Sequence, residues 1–280
     1  MAGQTYSAAQ LLQWQGEMGA DEAIAVQPVD WFAEAGARKS RPAATAPAAQ
    51  ARSEARPVPR APLPPRKPAA PPKADFVPVA QEEAVMDARQ RAASAKTLSE
   101  LEEALRGYDG CGLKATARST CFKRGSDEAK IMLIGEAPGR DEDIQGQPFV
   151  GRAGQLLDRM LAAIGLDESK VYITNIVYWR PPGNREPSAQ EVEACRPFLS
   201  RQIELLDPEV VILIGGPASK TLLNTTEGIT RLRGKWREVE LGGKTRKVMP
   251  TLHPAYLLRT PAAKRMAWLD MQAVEAQIAE

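Results

Sequence analysis

The chain has 280 residues, with 37 lysines and arginines against 35 aspartates and glutamates, for a formal net charge of +2. That balance excludes a chain that is basic or acidic throughout, and three cysteines, Cys111, Cys121 and Cys195, are too few and too scattered for a disulfide framework. No apolar run is long enough to span a membrane, and the first residues lack a signal peptide's basic start and apolar middle, so the expected compartment is the cytoplasm.

In chain order, residues 1–34 come first. Between Tyr6 and Phe32 the residues Leu11, Leu12, Trp14, Met18, Ala23 and Ile24 roughly follow a helical period. They predict a short amphipathic segment, either a docking peptide for a protein partner or for the rest of the chain, or a marginal helix with no partner. Residues 35–83 are rich in Ala, Pro, Arg and Lys, as in Arg56-Pro57-Val58-Pro59-Arg60. Such a stretch holds too few large apolar side chains to offset the entropy of ordering it, and it predicts a disordered basic linker. Its charge either adds non-specific affinity for nucleic acid or merely keeps a tether soluble. Residues 84–280 are then the folded part, ample for one core.

Four apolar runs in that part predict strands: Lys130–Ile134, Val171–Val177, Val210–Ile214 and Val248–Leu252. Helical patterns lie between them, notably Ala153–Ile164 and Ala189–Leu206. Nearly continuous apolar strands alternating with helices imply an α/β fold, a three-layer α/β/α sandwich around a central, mostly parallel four-stranded sheet. In such sheets ligands bind beyond the carboxyl ends of the strands, so four strand exits are the places to search.

The first exit runs Gly135-Glu136-Ala137-Pro138-Gly139 and continues from Gly146 through Phe149 and Gly151 to Gly154. Its glycines allow tight turns and close approach of a ligand to the backbone, although neither a dinucleotide fingerprint nor a Walker loop is present. Glu136 stands at the exit, and Phe149 offers an aromatic face. The second exit carries Thr174-Asn175-Ile176-Val177 and then Arg180-Pro181-Pro182-Gly183-Asn184-Arg185. One amide side chain supplies an acceptor and two donors, which suits the edge of a base, though asparagine also commonly caps turns. The third exit is Gly215-Gly216-Pro217-Ala218, leading to Thr230-Arg231-Leu232-Arg233-Gly234-Lys235-Trp236, either a nucleic-acid backbone contact or a solvated loop. The fourth exit holds the chain's one histidine, His253, followed by Pro254, which stops the strand. Alone it reads as a buried histidine bonded to a neighbour.

Together, Gly135–Gly139, Gly146–Gly154, Thr174–Val177, Arg180–Arg185, Arg231–Trp236 and His253-Pro254-Ala255 resemble family 4 uracil-DNA glycosylases, in that family's order from about Leu101 to near the end of the chain. Nothing before the linker takes part. The resemblance implies a DNA-repair enzyme that flips uracil out of DNA and hydrolyses its N-glycosidic bond, leaving an abasic site for base excision repair, and it implies uracil-containing DNA as the partner of a monomer. By this similarity Phe149 stacks on uracil, Asn175 reads its amide edge, the backbone of Gly135, Glu136 and Ala137 contacts it, and His253 hydrogen-bonds a carbonyl oxygen of the departing anion. Glu136 orients the attacking water or stabilises the cationic sugar, with Glu142 and Asp143 as lesser candidates. Arg231, Arg233, Lys235 and Arg259 are expected on DNA, and Leu257 or Leu258 as a wedge filling the vacated stack, unless both leucines simply pack at the start of a helix.

The family also carries a [4Fe-4S] cluster on four cysteines. Here Cys111 and Cys195 match two ligand positions, whereas Tyr108 and Trp179 replace the other two and Cys121 aligns with none. The expectation is no cluster, or at most a labile one, with the two aromatic rings filling its volume. The missing cysteines motivate an alternative, a catalytically weak damaged-DNA binding or scaffolding protein that recruits partners through residues 1–34. A superfamily variant that traps uracil-DNA covalently uses a histidine in the loop after the asparagine strand, and Trp179–Ser188 holds none. The range of bases accepted stays open, because small pocket changes decide it.

Overall fold

A computed structural model describes residues 81–279; the segment at 1–34 and nearly all of the linker at 35–83 lie outside the described residues. Helix α1 (Gln81–Ser94) begins within the stretch assigned to the linker, and α2 (Leu98–Arg106) follows. The Thr97 hydroxyl caps α2 by accepting from the Glu100 N–H, which satisfies one of the free donors at a helix start. Leu98, Leu101 and Leu105 recur at helical spacing and are buried, so α2 is held by its apolar face.

The sheet is built from β1 (Arg124–Gly125), β2 (Ile131–Gly135), β3 (Val171–Asn175), β4 (Val210–Ile214), β5 (Arg237–Leu241) and β6 (Lys244–Thr251), in the order β1-β3-β2-β4-β6-β5. The four expected strands are β3, β2, β4 and β6, and they pair in parallel. The sheet is nevertheless six-stranded, not four-stranded, because β1 and β5 add antiparallel edges. A two-residue β1 has no periodicity to read. The β5–β6 hairpin did leave a signal: Gly242 and Gly243, both with positive φ, form the tight turn between a polar, alternating β5 and β6.

Every residue of β2, β3 and β4 is buried, and alternation sends their side chains to opposite faces. Met132, Ile134, Tyr172, Val211, Leu213 and Val248 pack with α1, α2 and α5 (Ala189–Leu206). The other face carries Ile131, Leu133, Ile173, Ile212, Ile214 and Met249, covered by α4 (Arg152–Ala162) and α9 (Lys264–Ile278). The short helices α3 (Arg140–Gln145), α6 (Gly216–Leu222), α7 (Ile229–Leu232) and α8 (Pro254–Arg259) sit in the loops that leave the strands. None of the described helices is long and apolar enough to cross a membrane.

One buried polar network ties α5 to the end of β3. Gln202, fully buried, accepts from the Tyr178 hydroxyl at 2.9 Å and donates to the Tyr172 hydroxyl at 2.6 Å and to the Phe122 carbonyl at 3.3 Å. The Thr174 hydroxyl donates to that same carbonyl at 2.8 Å. Gln202→Ala would strip two buried phenols of partners, and each stranded group costs about 1–3 kcal/mol. We expect a loss of roughly 3 kcal/mol in urea unfolding; an unchanged midpoint would show that the network adds no net stability.

Candidate active site

Parallel pairing brings the strand ends to one edge. Gly135 of β2 lies in register with Asn175 of β3, and Ile214 of β4 with Thr251 of β6, two residues before His253. The chain runs from β2 outward to β3 and then back to β4 on the other side, so the crevice beside β2 is a topological switch point. A cavity of about 500 Å3 opens there, lined by Glu136, Phe149, Asn175 and His253.

Asn175 is 1 % exposed, and neither its Oδ1 nor its Nδ2 has a hydrogen-bond partner within the protein. Buried amides are almost always satisfied, and leaving one unpaired costs about 1–3 kcal/mol per group. An amide left without a protein partner on a cavity wall is therefore set for a ligand that supplies one donor and one acceptor. Gly135 makes the arrangement possible: a Cβ there would lie 2.4 Å from Asn175 Oδ1 and 2.6 Å from the Phe149 ring.

Phe149 adopts φ 55°, a left-handed conformation that a bulky residue keeps only when its surroundings impose it. Three supports are visible. The Glu142 carboxylate accepts from the N–H groups of Gly139, Val150 and Gly151, at 3.1, 3.0 and 2.9 Å. Arg124, paired with Asp158, donates to the Phe149 carbonyl at 2.7 Å. Gly154 lies directly beneath that carbonyl, 1.7 Å from where its own Cβ would stand. Of the two lesser acid candidates, Glu142 thus fastens the loop, and Asp143 accepts from the N–H groups of Arg118 and Ser119.

His253 caps α8, its Nδ1 accepting from the Ala255 N–H at 3.1 Å, which leaves the ring proton on Nε2. Burial, and then the charge of Arg259, push its pKa down to about 4, so the imidazole is a neutral donor at physiological pH. Its ring centroid lies 5.6 Å from that of Phe149. Glu136 is pushed the other way, up to about 7, first by burial and then by the carboxylate of Glu186. Glu186, Asn184, Arg185, Pro217 and Tyr256 also line the cavity. Glu186 and Tyr256 follow motif residues directly, but nothing in their spacing marks them as lining residues.

The residues expected on DNA divide. Arg231 and Lys235 are exposed, and Arg259 is exposed on the cavity rim. Arg233 instead pairs with the buried Asp270, which also accepts from the Thr251 hydroxyl at 2.7 Å, so its charge is spent inside the fold. Leu257 is 1 % exposed and packs with Leu252, Ala263 and Ala267, whereas Leu258 is 38 % exposed.

The sulfurs of Cys111 and Cys195 lie 3.9 Å apart. Tyr108 and Trp179 are buried, with their polar atoms already bonded, the phenol to the Ala84 carbonyl and the indole N–H to the Thr120 hydroxyl, each at 3.0 Å. Cys121 donates to the Glu142 carbonyl. Among the described residues no group of three or more His, Cys, Asp or Glu side chains could hold a metal ion. Two thiols, a phenol and an indole do not make the four-thiolate set an iron-sulfur cluster needs.

The profile of the uracil DNA glycosylase superfamily matches residues 122–272. A type-4 uracil-DNA glycosylase of Archaeoglobus fulgidus is 45 % identical over 155 residues, covering 54 % of this chain and 78 % of the relative. Those of Saccharolobus solfataricus and Thermotoga maritima are 38 % and 40 % identical over 180 and 163 residues, covering 62 % and 57 % of this chain and 83 % and 82 % of the relatives.

The close approach beneath Phe149 generates a test. Gly154→Ala forces a methyl group against the Phe149 carbonyl, and overpacking of this kind costs roughly 2 kcal/mol. An unfolding midpoint equal to that of the parent chain would refute the contact.

Proposed function

The chain belongs to the uracil-DNA glycosylase superfamily and, within it, to the type-4 family, and from that premise we infer that its strand-end cavity receives a uracil flipped out of DNA. The enzyme is a uracil-DNA glycosylase of base excision repair: it hydrolyses the N-glycosidic bond of deoxyuridine and leaves an abasic site. The observation that carries the site assignment is the buried, unpartnered amide of Asn175. Uracil's N3–H and adjacent carbonyl offer the one donor and one acceptor that this amide lacks. Phe149 gives the base its stacking surface, and the backbone of Gly135 to Ala137 gives it a floor.

When the bond between N1 and C1′ breaks, its electron pair stays on the base and positive charge develops on the sugar. His253 answers the first change. Its Nε2–H, fixed by the Ala255 N–H on the opposite nitrogen, donates to the uracil carbonyl oxygen as negative charge collects there. Glu136, once ionised, answers the second by stabilising the sugar cation and orienting the water whose oxygen bonds to C1′. Arg231, Lys235 and Arg259 hold phosphates, and Leu258, the exposed member of the leucine pair, enters the vacated stack. The bonded, buried Tyr108 and Trp179 support the reading that aromatic packing stands where relatives place cluster ligands, and that catalysis runs without a cluster.

Excision is read by alkaline cleavage at abasic sites on a panel of single-lesion oligonucleotides, single- and double-stranded. Asn175→Ala and His253→Ala should each lower the single-turnover rate on uracil by about 100-fold or more. Near-normal rates in both would overturn the site; a parent chain that binds but never cleaves would be a binding protein. Because Glu136 sits near pH 7, the rate should rise as pH increases through about 7 and the carboxylate ionises. Glu186→Gln removes a neighbouring negative charge, lowers the pKa of Glu136 and should move that limb to lower pH; an unmoved profile would exclude Glu136 as the titrating group. Iron analysis of anaerobically purified protein should find sub-stoichiometric iron, and a full cluster per chain would refute the cluster-free reading.

A further inference from the structure

Cys111 stands in the loop after α2 and Cys195 in α5, 84 positions apart in sequence, yet their sulfurs are 3.9 Å from each other. Both are buried, as is the Tyr108 ring that packs on Phe198 beside them. The third buried cysteine, Cys121, is engaged elsewhere, on the Glu142 carbonyl at 3.2 Å. One sulfur pair is therefore in contact, and one thiol is a built-in comparison.

We propose that Cys111 and Cys195 are a covalent modification site, joined in a disulfide by a two-electron oxidant of the hydroperoxide class. The proposal rests on the reading that these sulfurs hold no iron. The Cys111 sulfur, which accepts a hydrogen bond from the Cys195 thiol, gives up its proton and attacks one peroxide oxygen. The S–O bond forms as the O–O bond breaks, giving a sulfenic acid at Cys111, and the leaving oxygen takes up the thiol proton and departs as water from hydrogen peroxide or as an alcohol from an organic hydroperoxide. Cys195 then attacks the sulfenic sulfur; the S–S bond forms, the S–O bond breaks, and the leaving oxygen departs with the second thiol proton as water. The two thiols are oxidised and the peroxide is reduced. Bond formation brings the sulfurs from 3.9 Å to the roughly 2.0 Å of a disulfide. The bond ties the loop after α2 to α5, the helix whose Gln202 stands behind the Asn175 strand.

The test uses the full chain, shown to be iron-free, treated with hydrogen peroxide and then unfolded for thiol titration and intact mass. The expected result is a fall from three titratable thiols to one, a mass loss of about 2 Da, and a cross-linked peptide pair carrying Cys111 and Cys195. Cys121→Ser should still lose both of its thiols and Cys111→Ser should keep both of its own, whereas Cys195→Ser, lacking the resolving thiol, should stop at a sulfenic acid on Cys111 with no cross-link. Should either of the last two fail to fold, the parent chain's thiol count and peptide map decide alone. In the parent chain, three surviving thiols, oxygen added to sulfur instead of hydrogen lost, or a cross-link through Cys121 would overturn the proposal. Iron bound before treatment would instead overturn the cluster-free reading.

Discussion

The hydrogen bonds that hold β3 beside β2 place Asn175 opposite Gly135, and the rest of the site depends on that register. A slip of one residue would turn the Asn175 side chain to the opposite face of the sheet. The register is secured from behind, where Thr174 and Gln202 share the Phe122 carbonyl, and from the side, where Gly135 lacks the atom that would collide with the amide and the Phe149 ring. Parallel pairing then brings the β4 and β6 ends to the same edge, and His253 arrives two residues past β6, at the exit that Pro254 marks.

Around that edge the fold tolerates three local costs together. An amide is left unsatisfied, a phenylalanine is twisted into the left-handed region, and a carboxyl group is held where ionisation is disfavoured. None would persist in a loosely held loop. Glu142, Arg124 and Gly154 all act on the short stretch that carries Phe149, and the N–H of Ala255 fixes the face that His253 turns outward. The electrostatics divide the same way: burial leaves the imidazole uncharged and able to donate, whereas burial and Glu186 keep the Glu136 proton within reach of neutral pH. Two titratable groups pushed in opposite directions suit a reaction in which opposite charges separate.

Much of this was legible in the chain because apolar runs and glycine punctuation are local features. The four parallel strands and their exits came from uninterrupted runs such as Val210–Ile214, which need no partner to be recognised. What escaped depended on tertiary context. β1 exists because Arg124 and Gly125 lie against Ile173 and Tyr172, and β5 because two glycines fold it onto β6. Leu257 and Leu258 are indistinguishable by type, and helix phase alone sends one inward and the other to the surface. Arg233 looks like its neighbours Arg231 and Lys235 until Asp270, 37 residues on, claims it. Glu186 bears on the site through a loop whose return to the cavity no periodicity encodes.

The unpartnered amide also has a bearing on how a reaction ends. In the proposed binding mode Asn175 is satisfied by the base and not by the sugar, so breaking the glycosidic bond leaves its contacts untouched. The freed base meets the same amide and the same ring as the attached one did, and leaving exposes both atoms again. In that mode the site holds on to what it has cut loose, and it follows from the proposal that turnover is governed by departure as well as by cleavage, with the feature that recognises the lesion setting how soon the enzyme is ready for the next.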